Sequence, residues 1–268
     1  MAQSVARPQV VAHRGSSERK AEHTLEAYIT ALDEGAEALE CDVRLTADGH
    51  LVCVHDRNLR RTAANKGLVS NMELAELEKL DFSSWKHPWA DLDDEVPDRD
   101  LSTGGILTMK TLLETAADYS RRVELAIETK HPTRYGGLVE KRLVEMLDDF
   151  GWAGPGSPAR VMSFSPVALR RIRRLAPELQ VVQLLEAPHQ WPLGRPIAER
   201  DWIAGPGIEL IRKHPDLLRR IRANRSRLHV WTVNTDADVD FCVENGVEAI
   251  ITDRPAAVRS RLDALLPA

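Results

Sequence analysis

Acidic residues lie two positions apart in the segment "ECD", where Glu40 and Asp42 fall within an apolar run. Residues i and i+2 of a β-strand point to the same face of a sheet, so both carboxylates would share one side. Glu128 and Lys130 repeat this spacing in "IETK". Three carboxylates from two strands form an all-oxygen site suited to Mg²⁺ or Ca²⁺. A salt-bridge cluster in which Lys130 neutralises an acid accounts for the spacing equally well.

Two histidines at the ends of β-rich runs add proton-transfer chemistry. His13 closes "QVVAH", and His55 lies near the end of "LVCVHD". Two histidines that converge on an acid cluster suit a general acid and a general base near neutral pH. Arg14 follows His13 directly and offers a planar fork for phosphate. Trp231, in "VWTVN", suits either the core or the wall of a substrate pocket.

Short β-rich runs alternate with helical patterns, which predicts a parallel sheet with helical crossovers. The runs are "QVVAH", "EALECDV", "LVCVHD", "VELAIETK", "RVMSF", "QVVQLLE", "DWIAG", "LHVWTV" and "EAIITD". The helical patterns are "HTLEAYITALDEG", "YGGLVEKRLVEMLDDFG", "PVALRRIRRLAP" and "ADVDFCVENG". Thr24 is the predicted N-cap of the first helix, and Gly35 its C-terminal stop. Glu22 and His23 precede this helix, so capping and a site role are equally compatible with them.

Nine runs exceed the eight strands of a barrel, and the second and third runs resolve the excess. Only "RLTADGH" separates them, whereas a parallel crossover needs about a dozen residues or more. Asp48-Gly49 is a hairpin turn signal, so the third run is predicted to pair antiparallel with the second. Eight parallel strands remain, which predicts an α/β fold of the (β/α)8 TIM barrel type. A doubly wound sheet is the alternative, but no G-x-G-x-x-G follows a strand.

The chain is predicted to form one catalytic barrel domain over residues 1–268, with an insertion after strand 2 at about 57–108. This insertion contains Trp85, Trp89 and the acidic stretch "DLDDEVPDRD". We expect it to form a cap over one end of the barrel. A solvated loop with its own small hydrophobic cluster is nearly as compatible with the composition.

Composition excludes several classes of protein. The 268 residues are 43% hydrophobic, and the net charge of −5 gives no general footprint for nucleic acid or anionic membrane. The start lacks the apolar core of a secretory signal, and no apolar run approaches the ~20 residues that span a bilayer. Cys41, Cys53 and Cys242 lie among apolar neighbours and are predicted to be buried thiols. We therefore expect a cytoplasmic protein without stable membrane insertion; its oligomeric state stays open.

An ordered set of motifs resembles the glycerophosphodiester phosphodiesterase family. The motifs are "AHRG", "EHT", "ECDVRLTADGHLVCVHD", "RT" at 61–62, "IETK", "SFSP", "WTVN" and "ITDRP". The resemblance covers nearly the whole chain and implies a parallel β/α barrel with a segment inserted after the hairpin. Two departures concern head-group preference: the usual Pro-Glu-Asn-Thr run is "AEHT" here, and the usual "PTL" is "LTM".

The resemblance also implies an activity and a set of site residues. The activity is metal-dependent hydrolysis of glycerophosphodiesters, such as glycerophosphocholine and glycerophosphoethanolamine, to glycerol 3-phosphate and an alcohol. The nucleophile is water or the neighbouring glycerol hydroxyl, and the resemblance favours the hydroxyl. The implied residues are His13 and His55 as catalytic groups, Glu40, Asp42 and Glu128 as metal ligands, and Arg14 and Lys130 as phosphate contacts. His55 is assigned as the general acid, because its hairpin can approach the leaving group from the insertion side.

Three other functions are compatible with parts of the sequence. A phospholipase or lysophospholipase D-like enzyme would need an apolar groove, for which Phe82, Trp85 and Trp89 are candidates. A metal-dependent lyase or aldolase would need an enolate-stabilising site on the same barrel. A binding barrel without catalysis is disfavoured, because every acid and histidine position is filled.

Overall fold

Eight parallel strands close into a barrel in the residues that the computed structural model describes, which are 6–86, 101–191 and 196–267. A ninth strand pairs antiparallel with the second. The strands are β1 (Gln9–His13), β2 (Ala38–Leu45), β3 (Leu51–Cys53), β4 (Glu124–Thr129), β5 (Ala159–Ser163), β6 (Gln180–Leu185), β7 (Ile203–Pro206), β8 (His229–Val230) and β9 (Ala249–Thr252). Their order is β7-β6-β5-β4-β2-β1-β9-β8, with β3 attached to β2. The predicted (β/α)8 TIM barrel is confirmed.

The seam of the barrel lies between β7 and β8, where isolated bridges replace a continuous ladder. Ala204 N donates to Arg227 O at 3.0 Å, and Trp231 N donates to Pro206 O at 3.2 Å. Every other neighbouring pair of the parallel strands forms a regular ladder. With these bridges, Trp231 lies at the same end of the barrel as His13, the last residue of β1.

Helices fill the connections between the parallel strands. They are α1 (Leu25–Asp33), α2 (Arg60–Ala63), α3 (Leu74–Leu77), α4 (Leu101–Gly104), α5 (Met109–Asp118), α6 (Leu138–Asp149), α7 (Pro166–Leu175), α8 (Ile208–Lys213), α9 (Pro215–Ala223), α10 (Asp236–Glu244) and α11 (Pro255–Leu265). The Thr24 side chain accepts from Ala27 N, as predicted for an N-cap, and Gly35 just beyond α1 has a φ of +86°. Within the described ranges, no helix combines the length and apolar character needed to cross a bilayer.

The predicted hairpin is present between β2 and β3. Val43 pairs with Cys53, and Leu45 pairs with Leu51, in antiparallel register. Gly49 in the turn has a φ of +88°, a conformation that glycine adopts without steric cost. The hairpin therefore turns the chain back after β2, so that His55 returns to the region of Glu40.

Successive side chains of each strand point alternately into the barrel and outward to the helices. The interior is a compact apolar plug, formed by Val11, Ala38, Ala126, Met162, Val182, Leu184, Ile203, Ala249 and Ile251. Two residues further along the same face, the next side chain is His13 on β1, Glu40 on β2 and Glu128 on β4. The apolar plug thus ends at a polar layer at the carboxyl ends of the strands.

The described part of the insertion packs against the hairpin. Val52 and Val54 form a separate buried cluster with Leu59, Leu77 and Phe82. The small hydrophobic cluster that the sequence offered as the alternative to a cap is present, and it is shared with the hairpin. A cap over the barrel stays a prediction, and both Trp89 and the acidic stretch lie outside the described residues.

Gly15 lies where the loop after β1 passes against α1. Its φ is +88°, and a Cβ at this position would lie 2.6 Å from the backbone carbon of Ala27. Gly49 has the same φ but nothing within 4 Å, which makes it a matched control. We predict that Gly15→Ala lowers the free energy of unfolding by about 1–3 kcal/mol more than Gly49→Ala, because only Gly15 adds overpacking to a left-handed backbone. Urea unfolding of both variants measures the difference; equal losses would contradict the close approach.

Candidate active site

A cavity of about 380 Å³ opens at the carboxyl ends of the barrel strands. Its polar wall is formed by His13, Arg14, Glu40, Arg44, His55, Glu128 and Lys130. Its apolar wall is formed by Met162, Phe164, Leu184, Trp231 and Ile251. Seven of the eight predicted site residues line this cavity. The eighth, Asp42, is only 1% exposed and contacts Lys130.

Three buried carboxylates converge at the polar wall. Carboxylate oxygens of Glu40, Asp42 and Glu128 all lie within 4.8 Å of one another. Glu40 and Asp42 share the inner face of β2, and Glu128 pairs with Asp42 across the β2–β4 ladder. The i, i+2 spacing seen in the sequence therefore places the acids side by side, as predicted.

Two cations contact these acids. Lys130 Nζ lies 2.9 Å from Glu128 Oε1 and 3.0 Å from Asp42 Oδ1; the Asp42 contact is an ion pair without hydrogen-bond alignment. Arg14 Nε lies 3.1 Å from Asp42 Oδ2. The burial of Lys130 opposes its charge, but Asp42 and Glu128 outweigh that effect and raise its pKa. Lys130 is therefore charged at neutral pH.

The carboxylates differ in their pKa. Burial, reinforced by the Asp42 charge, raises the pKa of Glu40 well above its usual value and that of Glu128 to about 8. Burial also acts to raise the pKa of Asp42, but the hydrogen bond from His23 and the Lys130 charge hold it well below its usual range. Asp42 is thus the permanently charged member of the group.

The donor set fits a hard divalent cation. All three donors are carboxylate oxygens, the ligand type that Mg²⁺ and Ca²⁺ prefer. A divalent charge would also offset the repulsion that raises the pKa of Glu40 and Glu128. Glu40, Asp42 and Glu128 could therefore hold such an ion.

His13 is held by a carboxylate from the last strand of the barrel. Its Nδ1 lies 2.6 Å from Asp253 Oδ1, and Asp253 also accepts from Asn234 Nδ2 and Ser17 Oγ. Burial acts to raise the pKa of Asp253, but these hydrogen bonds outweigh it and lower the pKa to about 2. Because an ionised carboxylate only accepts, His13 Nδ1 must carry the proton. Nε2 is the ring nitrogen left for proton transfer.

His55 is held in a similar way from the hairpin side. Its Nδ1 lies 2.8 Å from Asp56 Oδ1, and Arg44 donates two hydrogen bonds to its carbonyl oxygen. Burial lowers the pKa of the His55 imidazole, and the charges on Arg14 and Lys130 act in the same direction. Without a bound anion, His55 is therefore more readily neutral than an exposed histidine.

A chain of ion pairs links the loop after β1 to the insertion. Arg61 donates to both Glu22 oxygens at 2.7 Å and to Asp56 Oδ2 at 2.7 Å. Glu22 also accepts from Arg14 at 3.1 Å. These contacts connect Asp56, the partner of His55, to Arg14, which contacts the carboxylate cluster. The connection runs through Arg61 and Glu22.

The two residues left open between capping and a site role, Glu22 and His23, do not cap α1 but contact predicted site residues. Thr24 caps α1, whereas His23 is buried and its Nε2 lies 2.9 Å from Asp42 Oδ2. The other ring nitrogen of His23 lies 2.8 Å from the Tyr28 hydroxyl. His23 thus orients Asp42, and Glu22 contacts Arg14.

The backbone after β1 turns sharply to place Arg14. Arg14 has a φ of +58° and Gly15 a φ of +88°. Arg14 N donates to Glu40 Oε2 at 3.1 Å, which fixes the turn against the acid cluster. A non-glycine residue in this conformation costs about 1–2 kcal/mol, and positions of this kind concentrate at functional sites.

Aromatic side chains form the centre of the apolar wall. The Phe164 and Trp231 rings meet edge to face with their centroids 5.5 Å apart, and Trp231 Nε1 donates to Gly205 O. Trp231 therefore serves as a pocket wall, one of the two alternatives left open by the sequence. Phe82 is buried in the insertion instead, and Trp85 stacks under Arg61.

Sequence reasoning missed the residues that orient the histidines. Asp253 lies in "ITDRP" and Asp56 in "VHD", so both were inside recognised motifs. Arg44 continues the inward face of β2 two residues beyond Asp42, a periodicity that could have identified it. No sequence signal connects His13 to Asp253 across 240 residues.

Comparison with known proteins gives a consistent set of relatives. Residues 13–257 match the Glycerophosphoryl diester phosphodiesterase family. A probable glycerophosphodiester phosphodiesterase 1 of Mycobacterium tuberculosis is 44% identical over 260 residues, which cover 96% of this chain and 93% of the relative. A glycerophosphodiester phosphodiesterase of Bacillus subtilis is 33% identical over 250 residues, covering 91% and 83%.

Solved structures agree with these sequence relatives. An Oleispira antarctica phosphodiesterase in complex with the product sn-glycerol-3-phosphate is similar with a TM-score of 0.76 and 26% identity. The match covers 96% of this chain and 97% of that structure. The similarity thus extends over the entire barrel.

The Asp253 carboxylate is predicted to make stability depend on acid pH. Its folded pKa of about 2 lies below the unfolded value of about 3.9, so its contribution is present above about pH 5 and is lost as the pH falls toward about 2. Allowing for partial solvent exposure, we expect wild type to lose about 1 kcal/mol more than Asp253→Asn between about pH 6 and about pH 3. Urea unfolding at both pH values measures this, and identical losses would contradict the low pKa of Asp253 in the folded protein.

Proposed function

Because the chain belongs to the glycerophosphoryl diester phosphodiesterase family, we propose that it hydrolyses glycerophosphocholine and glycerophosphoethanolamine to glycerol 3-phosphate and the free alcohol. As a member of this family the protein is a phosphodiesterase. One observation carries the choice of chemistry: two histidines, each bonded to its own carboxylate, face three clustered acids in a single cavity.

The substrate phosphate is proposed to bind between the acid cluster and the two basic side chains. Arg14 and Lys130 both line the cavity and would contact the non-bridging oxygens. Mg²⁺ or Ca²⁺ held by Glu40, Asp42 and Glu128 would stabilise the charge that develops on these oxygens. The fixed position of Arg14 means that little reorganisation is needed when the substrate enters.

Proton transfer is assigned to the two histidines. Asp253 accepts a hydrogen bond from His13 Nδ1, which leaves Nε2 as the ring nitrogen through which His13 would act as general base. His55 would protonate the departing alcohol as general acid. A phosphodiester anion beside His55 favours the imidazolium, which offsets the lowering of its pKa in the empty cavity.

The nucleophile is proposed to be the glycerol hydroxyl on the carbon next to the one that carries the phosphate. His13 removes its proton, the new O–P bond forms a cyclic phosphate, and the alcohol leaves with a proton from His55. Water then opens the ring with the two histidines in exchanged roles, which gives glycerol 3-phosphate. The hydroxyl is part of the bound substrate, so its attack is intramolecular and gains from fixed proximity.

The alcohol is proposed to lie against the aromatic side of the cavity. Trp231 and Phe164 provide ring surfaces, and the Glu186 carboxylate lines the same cavity. A choline or ethanolamine cation is attracted both to aromatic faces and to a carboxylate. This arrangement supports a preference for cationic alcohols over neutral ones.

A second candidate is a lysophospholipase D-like activity. The apolar wall contains Met162, Leu184 and Ile251 beside the two aromatic rings, and it could contact an acyl chain. This surface belongs to the barrel strands and not to the insertion. Family membership leaves the lyase or aldolase alternative without support.

The reaction is proposed to take place in the cytoplasm, where both diesters arise as products of lipid breakdown. Cys41, Cys53 and Cys242 are buried and free, which is compatible with a reducing compartment.

The substrate assignment is tested by comparing four diesters. We expect release of glycerol 3-phosphate from glycerophosphocholine and glycerophosphoethanolamine, with a lower kcat/KM for glycerophosphoglycerol and the lowest for lysophosphatidylcholine. Glu186→Gln should reduce the preference for the cationic alcohols by about two- to fivefold, whereas Glu209→Gln, an exposed glutamate on α8, should not. Faster turnover of lysophosphatidylcholine would favour the second candidate; an unchanged preference would exclude Glu186.

The histidine assignment predicts a large loss of activity without a loss of stability. His13→Ala and His55→Ala should each lower kcat by about 10²- to 10⁴-fold with little change in Tm, and the double variant should be scarcely worse. A nitrophenyl diester should restore turnover only in the His55 variant, because its leaving group needs no proton. His50→Ala, in the exposed hairpin turn, is the control. Near-normal kcat with a lower Tm in His13→Ala would make that residue structural.

The acid cluster predicts dependence on a divalent cation. Removal of metal with EDTA should abolish hydrolysis, and Mg²⁺ or Ca²⁺ should restore it. Glu128→Gln should weaken cation binding by about tenfold or more with the fold intact, whereas Glu114→Gln on the exposed face of α5 should have no effect. Calorimetric titration of the stripped protein measures binding directly. Full activity in excess EDTA without detectable metal would contradict the assignment.

A further inference from the structure

A second cavity, of about 700 Å³, opens at the opposite end of the barrel, where the strands begin. Gln9, Glu124, Arg160 and His229 are inward-facing residues at the start of four strands and line it. The apolar plug separates this cavity from the candidate active site. The proposed reaction uses no residue here.

Arg160 is a buried cation at the floor of this cavity. Its side chain is 4% exposed, and its two terminal nitrogens are bonded to Glu124 Oε2 at 3.0 Å and Gln9 Oε1 at 2.8 Å. Nε is buried and has no acceptor among the described residues. A buried donor without a partner is destabilising, so an acceptor at this point would be stabilising.

His229 presents a second unfilled hydrogen-bonding group. It is 2% exposed, and its Nδ1 has no partner in the part of the chain that the structure describes. Burial lowers the pKa of His229 well below its usual value, and the charges of Arg160 and Arg227 add to this effect. The ring is thus neutral and surrounded by cations, with one N–H to donate.

Some of the other charged side chains around the cavity are paired with each other, and others are not. Arg227 Nε bonds Glu248 Oε2, and Glu124 is shared by Arg160 and Gln9, so these two acids are already neutralised. Arg222, near the end of α9, lines the cavity and makes no ion pair with any described residue. Glu244 is the opposing charge at the rim.

We propose that this cavity binds a phosphate group, as inorganic phosphate or a small phosphomonoester, through Arg160, His229 and Arg222. A phosphate supplies several acceptor oxygens, which match the buried Nε and imidazole donors that lack partners. Its negative charge suits a cavity with Arg160 and His229 buried at its floor and Arg222 exposed at its rim. The cavity exceeds the space that a single phosphate needs, so it also accommodates a short organic substituent.

The test uses histidine ring signals in NMR spectra of the metal-free protein. The His229 signal is identified by its loss in His229→Gln, and inorganic phosphate, glycerol 3-phosphate and sodium chloride are titrated separately. We expect a saturable shift of the His229 signal with a phosphate, and no comparable shift with chloride at equal ionic strength. The shift should persist in Arg14→Gln, where phosphate binding in the other cavity is weakened.

Arg222→Gln should raise the apparent Kd for phosphate by about fivefold or more, since it removes one charged donor from an exposed helix position without leaving a buried charge. Arg219→Gln on the same helix, where Arg219 pairs with Asp216, is the matched control and should leave the Kd unchanged. A lower Kd for glycerol 3-phosphate would assign the site to phosphomonoesters, and a lower Kd for inorganic phosphate to the free ion. A shift that does not saturate, or equal Kd values in Arg222→Gln and Arg219→Gln, would overturn the proposal.

Discussion

The charge on Asp42 is the constraint around which the site is built. A carboxylate with 1% exposure is stable only when other groups compensate for its lost hydration. Its partners come from three parts of the chain: His23 precedes α1, Arg14 follows β1, and Lys130 follows β4. Arg14 and Lys130 balance the Asp42 charge, and His23 contributes a hydrogen bond. The same contacts place a guanidinium and an ammonium beside the cavity, so stabilisation of the fold and preorganisation of the site have a common origin.

The histidines depend on carboxylates that come from separate elements. Asp253 follows β9, whereas Asp56 directly follows His55 and is held by Arg61 from the insertion. The side chains of His13 and His55 are therefore oriented through separate contacts. Arg61 links the insertion to Asp56 beside His55, and through Glu22 it also reaches Arg14, the residue after His13. Changes in the insertion would therefore reach both regions of the cavity.

Local spacing was sufficient to predict most of the barrel and its acid cluster. Seven residues between two runs exclude a parallel crossover, which identified the hairpin, and period-two spacing placed Glu40 and Asp42 on one face. The pairing of His13 with Asp253 was not predictable, because strand order alone brings β1 beside β9. The apolar wall of the cavity was not predicted from the sequence, since Phe164 and Trp231 come from separate strands and meet only after the barrel closes. Sequence patterns thus identified which residues face inward but not which of them meet.

The contact between His13 and Asp253 has a consequence for synthesis of the chain. The two residues are 240 positions apart, and β9 is also the strand that completes the second edge of β1. At translation rates of about 5–20 residues per second, His13 leaves the ribosome roughly 10 to 50 seconds before its carboxylate partner is made. During that interval β1 lacks the strand that pairs with its second edge, and His13 lacks the carboxylate that orients its ring. A nascent chain that ends before residue 253 therefore cannot fix His13 in the position seen in the folded protein.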